Sequence, residues 1–242
     1  MTIYVVDPDY DTVLTLKNEP IPFAPWVEAE PHGAIDDEPE LILEQPFDLE
    51  EGVQRCVLGE EPIQYAGHAK IISDPTPSAV DEEEVVHYHV SSRHLQLASP
   101  WFKRSLAKEK WSESDLVEGR YQLLAHDWDE EAFLMLLNII HLRHRRVPRT
   151  VSLELLAKVA VLVDYYECGE AVELFTQMWI DDIKKHAMPS TCCRDLILWI
   201  SVAWVFDLSE QFQVATAVAI KEGTEAMQTL GLPIPSFVSG KE

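Results

Sequence analysis

A long acidic, proline-rich stretch, residues 18–84, is the feature that most constrains what this chain can fold into. It holds 18 acidic residues, 2 basic residues and nine of the chain's fifteen prolines. No apolar period of 2 or 3.6 residues is sustained in it, and such a composition cannot bury enough apolar surface to offset the entropy lost on ordering. We therefore predict a largely disordered insertion, flanked by residues 1–17 and by a folded core that begins at Val85.

The charge distribution bears on the class of partner. The formal net charge of the 242 residues is −23, and the insertion alone carries −16. Binding to a nucleic-acid backbone depends on neutralising phosphates with Lys and Arg, so this balance argues against direct nucleic-acid binding. The acidity is concentrated in this insertion, because the other 175 residues carry a net charge of only −7.

Two further features concern the compartment. The opening residues MTIYVVDPDYD lack the pattern of a secretory or organelle-targeting segment. The longest charge-free apolar run, residues 196–206, is eleven residues long, whereas a membrane-spanning helix needs about 20. No C-x-x-C pair occurs, so free thiols in the cytoplasm or nucleus are expected. The cysteines are Cys56, Cys168, Cys192 and Cys193.

Three stretches have the pattern of strands. The β-branched and apolar residues 12–16 follow the turn-forming Asp-Pro-Asp. Val86, Tyr88 and Val90 alternate with histidines, which predicts a strand with one buried face. Residues 121–124 form the third candidate. Three short strands are therefore expected in the folded part of the chain.

The later part of the chain has the pattern of about seven helices. Ser91-Ser92 and Ser99-Pro100 are expected to start two short helices, Asp127 or Asp129 to cap a central core helix, and Ser152 to cap the next one. Apolar residues at i, i+3 and i+4 spacing continue to residue 227. Strands followed by helices predict an α+β fold, with a core over residues 85–186, a helical extension over 187–232 and a tail over 233–242.

The run HVSSRHLQLASPWFKRSL and the run YQLLAHDWDEEAFLMLLNIIHLRHRRVPRTVSLELLAKVAVLVDYYECGEAV resemble the BTB/POZ domain family, in a form similar to the BTB-containing proteins of filamentous fungi. The upstream DPDYDTVLTL resembles the strand that opens such domains, with Tyr10 where a glycine is usual. The resemblance implies a small three-stranded sheet capped by helices, followed by an all-helical extension. It also implies a protein-interaction module without catalytic activity or cofactor.

Self-association through the first strand and first helix is implied by the same resemblance. The candidate dimer-interface residues are Val13, Leu14, Leu16, Leu95, Leu97, Trp101 and Phe102. An exposed edge strand at residues 13–16 would extend this two-fold patch. Simple core packing of each residue is the alternative interpretation.

Members of the family that recruit cullin scaffolds carry an apolar-x-Glu signature before the third strand, and Trp111-Ser112-Glu113 occupies that place here. The resemblance therefore suggests a cullin contact through Phe102, Leu106, Trp111 and Glu113. An exposed aromatic residue would insert into a partner groove while the carboxylate pairs with a base. The alternative is a tryptophan folded back onto the domain beside an ordinary surface glutamate.

A basic run interrupts the acidic chain at Arg143, Arg145, Arg146 and Arg149. It could bind an acidic partner, nucleic acid or the chain's own acidic insertion, which is present at high effective concentration. Alternatively, arginines near the C-terminus of a helix complement its dipole and stay solvated.

No recognisable catalytic motif is present: G-x-S-x-G, P-loop and G-x-G-x-x-G sequences are all missing. The pairs His87/His89 and His141/His144, and Cys192-Cys193 after His186, lack the further ligands that a metal site needs. We expect a dimerising scaffold or adaptor. The alternatives are a substrate adaptor of a cullin-RING ubiquitin ligase, or a transcription or chromatin-associated regulator without its own DNA-binding module.

Overall fold

A five-stranded mixed sheet forms one side of the structure. The computed structural model describes residues 1–18, 22–26, 69–71, 85–107, 116–117, 119–222 and 227–239. The strands are β1 (Thr2–Val5), β2 (Thr12–Lys17), β3 (Ala69–Ile71), β4 (Val85–Val90) and β5 (Tyr121–His126). Their order across the sheet is β1-β4-β2-β5-β3.

The three predicted strands lie in the middle of this sheet. β2 pairs antiparallel with β4 and parallel with β5, while β1 runs parallel to β4 at one edge and β3 antiparallel to β5 at the other. Two edge strands were therefore missed by the sequence analysis. The expectation that residues 13–16 form an exposed edge strand is wrong, because β2 is paired on both sides.

One face of the sheet is buried and the other is half-exposed. Along β2, buried Thr12, Leu14 and Leu16 alternate with half-buried residues, and Tyr88 of β4 is fully buried against the edge of Phe133, with ring centroids 5.2 Å apart. This alternation follows from the two-residue period of a strand. The helices cover the buried face.

The helical part confirms the α+β class. The described helices are α1 (Ser92–Ala98), α2 (Pro100–Ser105), α3 (Glu130–Ile140), α4 (Leu153–Tyr165), α5 (Gly169–Ile183), α6 (Arg194–Val205), α7 (Ser209–Glu222) and α8 (Ser236–Ser239). A 3₁₀ turn, His144–Arg146, follows α3. Within the described residues, none of the helices combines the length and the apolar character needed to cross a membrane.

Side-chain caps fix where several helices begin. Asp129 accepts a hydrogen bond from the Ala132 amide, and Ser152 accepts one from the Leu155 amide, each of which satisfies a free N–H group in the first turn. The predicted cap Ser91 makes no such bond. Instead Asp11 accepts from the Ser92 amide at 2.7 Å and from the Ser92 hydroxyl at 2.6 Å, so the loop before β2 holds the start of α1.

Parts of the stretch 18–84 and of the tail are ordered among the described residues. Arg194 donates to the carbonyl oxygens of Phe23 and Ala24 at 3.0 and 2.9 Å, tying residues 22–26 to α6. The strand β3 also lies within 18–84. In the tail, Ile234 is buried and α8 follows it, because apolar side chains there cover the helical extension.

Candidate interaction surface

The pair α1–α2 has one face turned to the core. Ser99 separates the two helices, caps α2 by accepting from the Phe102 amide at 3.0 Å, and donates to the carbonyl oxygen of Tyr166 at 2.5 Å. Pro100 occupies the first turn of α2, where its missing N–H has no consequence. The two helices are thereby fixed against the end of α4.

An aromatic cluster surrounds Tyr166 beneath these helices. The Phe102 ring stacks on the Tyr166 ring at 4.6 Å between centroids, and the Trp101 ring meets it edge-on at 5.1 Å. The Trp128 indole N–H donates to the Tyr166 hydroxyl at 3.0 Å. Burial raises the pKa of Tyr166 well above its usual value. Such ring pairs stabilise a core beyond the area they bury.

Most of the predicted interface residues belong to this core. Leu14, Leu16, Leu95, Phe102 and Leu106 are all at most 1% exposed. The burial of Phe102 and Leu106 contradicts a direct cullin contact, and the burial of Leu14, Leu16, Leu95 and Phe102 contradicts direct dimer contacts. Their side chains lie in the hydrophobic core, where a partner protein has no access.

Leu97 and Trp101 remain from the predicted dimer interface. Leu97 is 88% exposed on α1, and Trp101 is half-buried at the start of α2. Arg93, one turn before Leu97, is exposed as well, and Arg104 of α2 forms a bidentate pair with Glu167. Residues four apart in one helix share a face, so Arg93 and Leu97 point outward together on α1, and Trp101 follows on α2 beyond the break at Ser99. We call these three residues the α1 ridge.

The free edge of the sheet, strand β1, ends near the start of α1. The amides of Val6 and Asp7 both donate to the His89 carbonyl at 3.0 Å, which places the end of β1 next to the start of α1. Ile3 and Val5 are 51% and 47% exposed. Because the Val6 amide points to β4, alternation in a parallel ladder turns the backbone groups of Ile3 and Val5 towards the open edge. Val13 lies on the half-exposed face of the sheet, away from this edge.

Two of the predicted basic residues hold this edge strand. The Arg143 Nε donates to the Val6 carbonyl at 2.9 Å, and the Arg146 guanidinium donates to the Val5 carbonyl at 3.3 Å. Arg145 and Arg149 are exposed. In the described part of the chain, none of these four arginines forms an ion pair. Sequence reasoning missed the clamp because a carbonyl oxygen carries no side-chain signature.

Arg143→Met is expected to loosen the end of β1. The hydrogen bond to the Val6 carbonyl involves a charged donor, and losing it should cost about 1.5–3 kcal/mol locally. Hydrogen exchange of a peptide covering residues 1–10, followed by mass spectrometry, should accelerate at the Val6 and Asp7 amides. The matched control is Arg149→Met. Equal exchange in both variants would contradict the clamp.

The remaining predicted sites are the cullin-contact pair, a histidine pair and the vicinal cysteines. Trp111 and Glu113 lie outside the described residues. His141 caps α3 and is buried, while His144 is exposed in the following turn, so the two do not share a helix face. Among the described residues no group of three or more His, Cys, Asp or Glu side chains is placed to hold a metal ion. The half-buried Cys192 and Cys193 lie just before α6 as free thiols.

A scan against protein-family models and a search of curated proteins both find no match to this sequence. The geometry of the α1 ridge and the β1 edge therefore has to support any assignment of function by itself.

Proposed function

We propose that this protein is a non-catalytic interaction module resembling a BTB/POZ domain, which forms homodimers through the α1 ridge and the β1 edge and acts as a scaffold or adaptor in the cytoplasm or nucleus. The observation that carries the proposal is that Leu97 is 88% exposed at a position where the resemblance expects the dimer interface. Such a leucine gains stability when a partner covers it.

The order of elements supports the family part of the proposal. An antiparallel pair, β2 and β4, is followed by the α1–α2 unit, by β5 parallel to β2, by the central helix α3 and by the α4–α5 pair. This is the sequence of elements that the resemblance implies. The α6–α7 pair then extends the domain, with α6 packed against α4 and only Ala215 of α7 buried.

A two-fold arrangement fits the shape of the surface. In an isologous dimer the same patch is used twice, so a small apolar ridge contributes two copies of each side chain to one interface. The open edge of β1 offers main-chain donors and acceptors to the partner's chain. Arg143 and Arg146 hold the end of that strand, and Arg146 already occupies the Val5 carbonyl, so pairing would use the other backbone groups at the open edge of β1.

Leu97→Arg is expected to weaken dimerisation more than tenfold. Burying a leucine side chain contributes about 1.5 kcal/mol or more, and about 1.4 kcal/mol corresponds to a tenfold change in dissociation constant. Sedimentation equilibrium over a range of concentrations measures the dissociation constant. Arginine is a good helix former and complements the C-terminal end of α1, so the fold should persist.

Leu174→Arg is the matched control, because Leu174 is 79% exposed on α5 and lies outside the proposed interface. Its dissociation constant should equal that of the wild type. A monomeric wild-type protein at all accessible concentrations, or equal weakening by both variants, would overturn the proposal.

A further inference from the structure

A cavity of about 330 Å³ has no lining residue in α1, α2 or β1. It forms where the end of β2, residues 22–25, the β5–α3 connection, α4 and residues 230–232 meet. A volume of this order falls at the lower end of the range of small-molecule sites, roughly 300–1,000 Å³.

The cavity has apolar walls with a few polar groups. Its apolar side chains include Phe23, Trp128, Val161, Leu162 and Leu232. The Trp128 N–H is already bonded to Tyr166, so this residue offers its ring surface rather than a donor. Apolar walls with a small number of placed polar atoms are typical of sites that bind one small organic molecule.

One polar atom at the cavity lacks a partner. The Asn18 side-chain amide donates to the Trp128 carbonyl at 2.7 Å, which fixes its orientation. Its oxygen, Oδ1, is buried and accepts no hydrogen bond. A buried acceptor without a donor is unfavourable, because it has lost its water and gained nothing. Because the atom has almost no accessible surface, it lies beneath the cavity wall and out of a ligand's reach.

The charges at the cavity favour a ligand with hydrogen-bond donors. Asp127, Asp129 and Glu130 line it together with one cation, Lys158. The Lys158 ammonium already pairs with Asp129 at 2.8 Å and with Glu154 at 3.1 Å. The Glu130 carboxylate accepts one hydrogen bond, from the Tyr4 hydroxyl at 2.7 Å. A positively charged ligand therefore meets a net negative wall, whereas an anion is repelled.

The backbone around the cavity is unusual as well. Ala24, Asp127 and Leu230 have φ angles of 45°, 59° and 55°, in the left-handed region that non-glycine residues rarely adopt. The three other residues of this kind in the described chain, Leu142, Glu167 and Asp207, each follow the C-terminus of a helix, where the conformation is common. Left-handed residues gathered around one cavity instead recur at ligand sites.

We propose that this cavity binds a small apolar cation of about the size of one aromatic ring, such as an aromatic amidine or amine. The Glu130 carboxylate accepts its N–H groups, and Trp128 flanks its ring, whereas the Phe23 ring already lies under the Lys158 ammonium at 5.6 Å. Binding links residues 22–25 and residues 230–232 through the ligand. Glu130 contacts β1 through Tyr4, so the oligomeric state of each variant is measured beside its affinity.

Benzamidine and benzoate are the probes, because they share a ring and differ in charge. Isothermal titration should give saturable binding of one benzamidine per chain and no binding of benzoate. Glu130→Gln should weaken benzamidine binding about threefold to tenfold, because a charge-assisted hydrogen bond becomes a neutral one. Glutamine still accepts from Tyr4, so the local structure should be kept.

Glu131→Gln is the control for non-specific attraction to an acidic protein. Glu131 is exposed in the same first turn of α3 and its substitution removes the same charge, so the affinity should not change. Equal weakening by both variants, equal binding of benzoate, or no saturable binding of benzamidine would each overturn the proposal. Val161→Phe fills the cavity from α4 and should abolish binding, and full affinity in a folded Val161→Phe variant would also overturn it.

Discussion

Phe102→Ala is expected to lower the free energy of unfolding by about 3–5 kcal/mol, the range for removing a large buried aromatic side chain. The Phe102 ring is 1% exposed and lies between Tyr166 and Trp101 at 4.6 and 5.1 Å between centroids. Its removal leaves a cavity among rings that belong to three helices, and the stacking interactions are lost with it. Urea denaturation should show a lower midpoint with an unchanged slope.

The control for this prediction is Leu174→Ala, which truncates an exposed side chain and should change stability by no more than about 0.5 kcal/mol. The comparison also tests the assignment of Phe102 to the core. If Phe102→Ala left stability unchanged but weakened binding to a cullin, the residue would be a surface contact and the aromatic cluster would be wrong.

The positions of the regular elements were largely predictable. The alternation of Val86, Tyr88 and Val90 marks β4, and the caps Asp129 and Ser152 mark α3 and α4, because these signals depend on residues close together in the sequence. The edge strands β1 and β3 lack such signals. β1 buries little on either face and β3 has three residues, so neither produces a clear pattern.

The interface was harder to predict because it depends on which side of a short helix faces the core. Leu95 and Leu97 are two residues apart, and at 100° per residue they point about 200° apart. They cannot both be core or both be surface, yet both were assigned to the dimer interface. The structure buries Leu95 and exposes Leu97. Seven residues of helix are too few for a hydrophobic period to settle the orientation.

Long-range polar contacts could not be predicted from the sequence, for a different reason. Asp11 and Ser92 are separated by 81 positions, and Arg143 and Val6 by 137. No local spacing connects them, and most of the residues between Asp11 and Ser92 belong to the acidic stretch. The contacts nevertheless fix α1 and β1, the two elements that carry the proposed interface. The hydrogen bonds that hold α1 and β1 in place are thus harder to predict from the sequence than the residues of the proposed interface.

Acidification is expected to destabilise the protein through His141. Its ring is 6% exposed at the end of α3. The Nε2 atom accepts a hydrogen bond from the Ser91 amide at 2.9 Å, so the proton resides on Nδ1, which donates to the Leu137 carbonyl at 2.8 Å. Burial lowers the pKa of His141, and the neighbouring His94 acts in the same direction. Protonation would also break the bond to Ser91, the residue that leads β4 into α1.

The direction of the pH effect follows from that lowered pKa. In the unfolded chain His141 binds a proton near pH 6.5, whereas in the folded chain it binds one only at lower pH. The contribution of the neutral His141 ring to the free energy of unfolding is therefore complete above about pH 6.5 and is lost as the pH falls. One such proton contributes at most about 1.4 kcal/mol per pH unit. Urea denaturation at pH 7, 6 and 5 should therefore show a decreasing free energy of unfolding.

His141→Leu is expected to show how much of the pH dependence of stability comes from His141. At pH 7 it should lower the free energy of unfolding by about 1–3 kcal/mol, because the Ser91 amide loses its acceptor in a buried position. Between pH 6.5 and 5 its stability should depend less on pH than that of the wild type. His144→Leu, which removes an exposed histidine from the following turn, should keep the wild-type dependence. If His141→Leu and the wild type lost stability in parallel on acidification, His141 would not be the group responsible, and the start of α1 would be insensitive to pH through this contact.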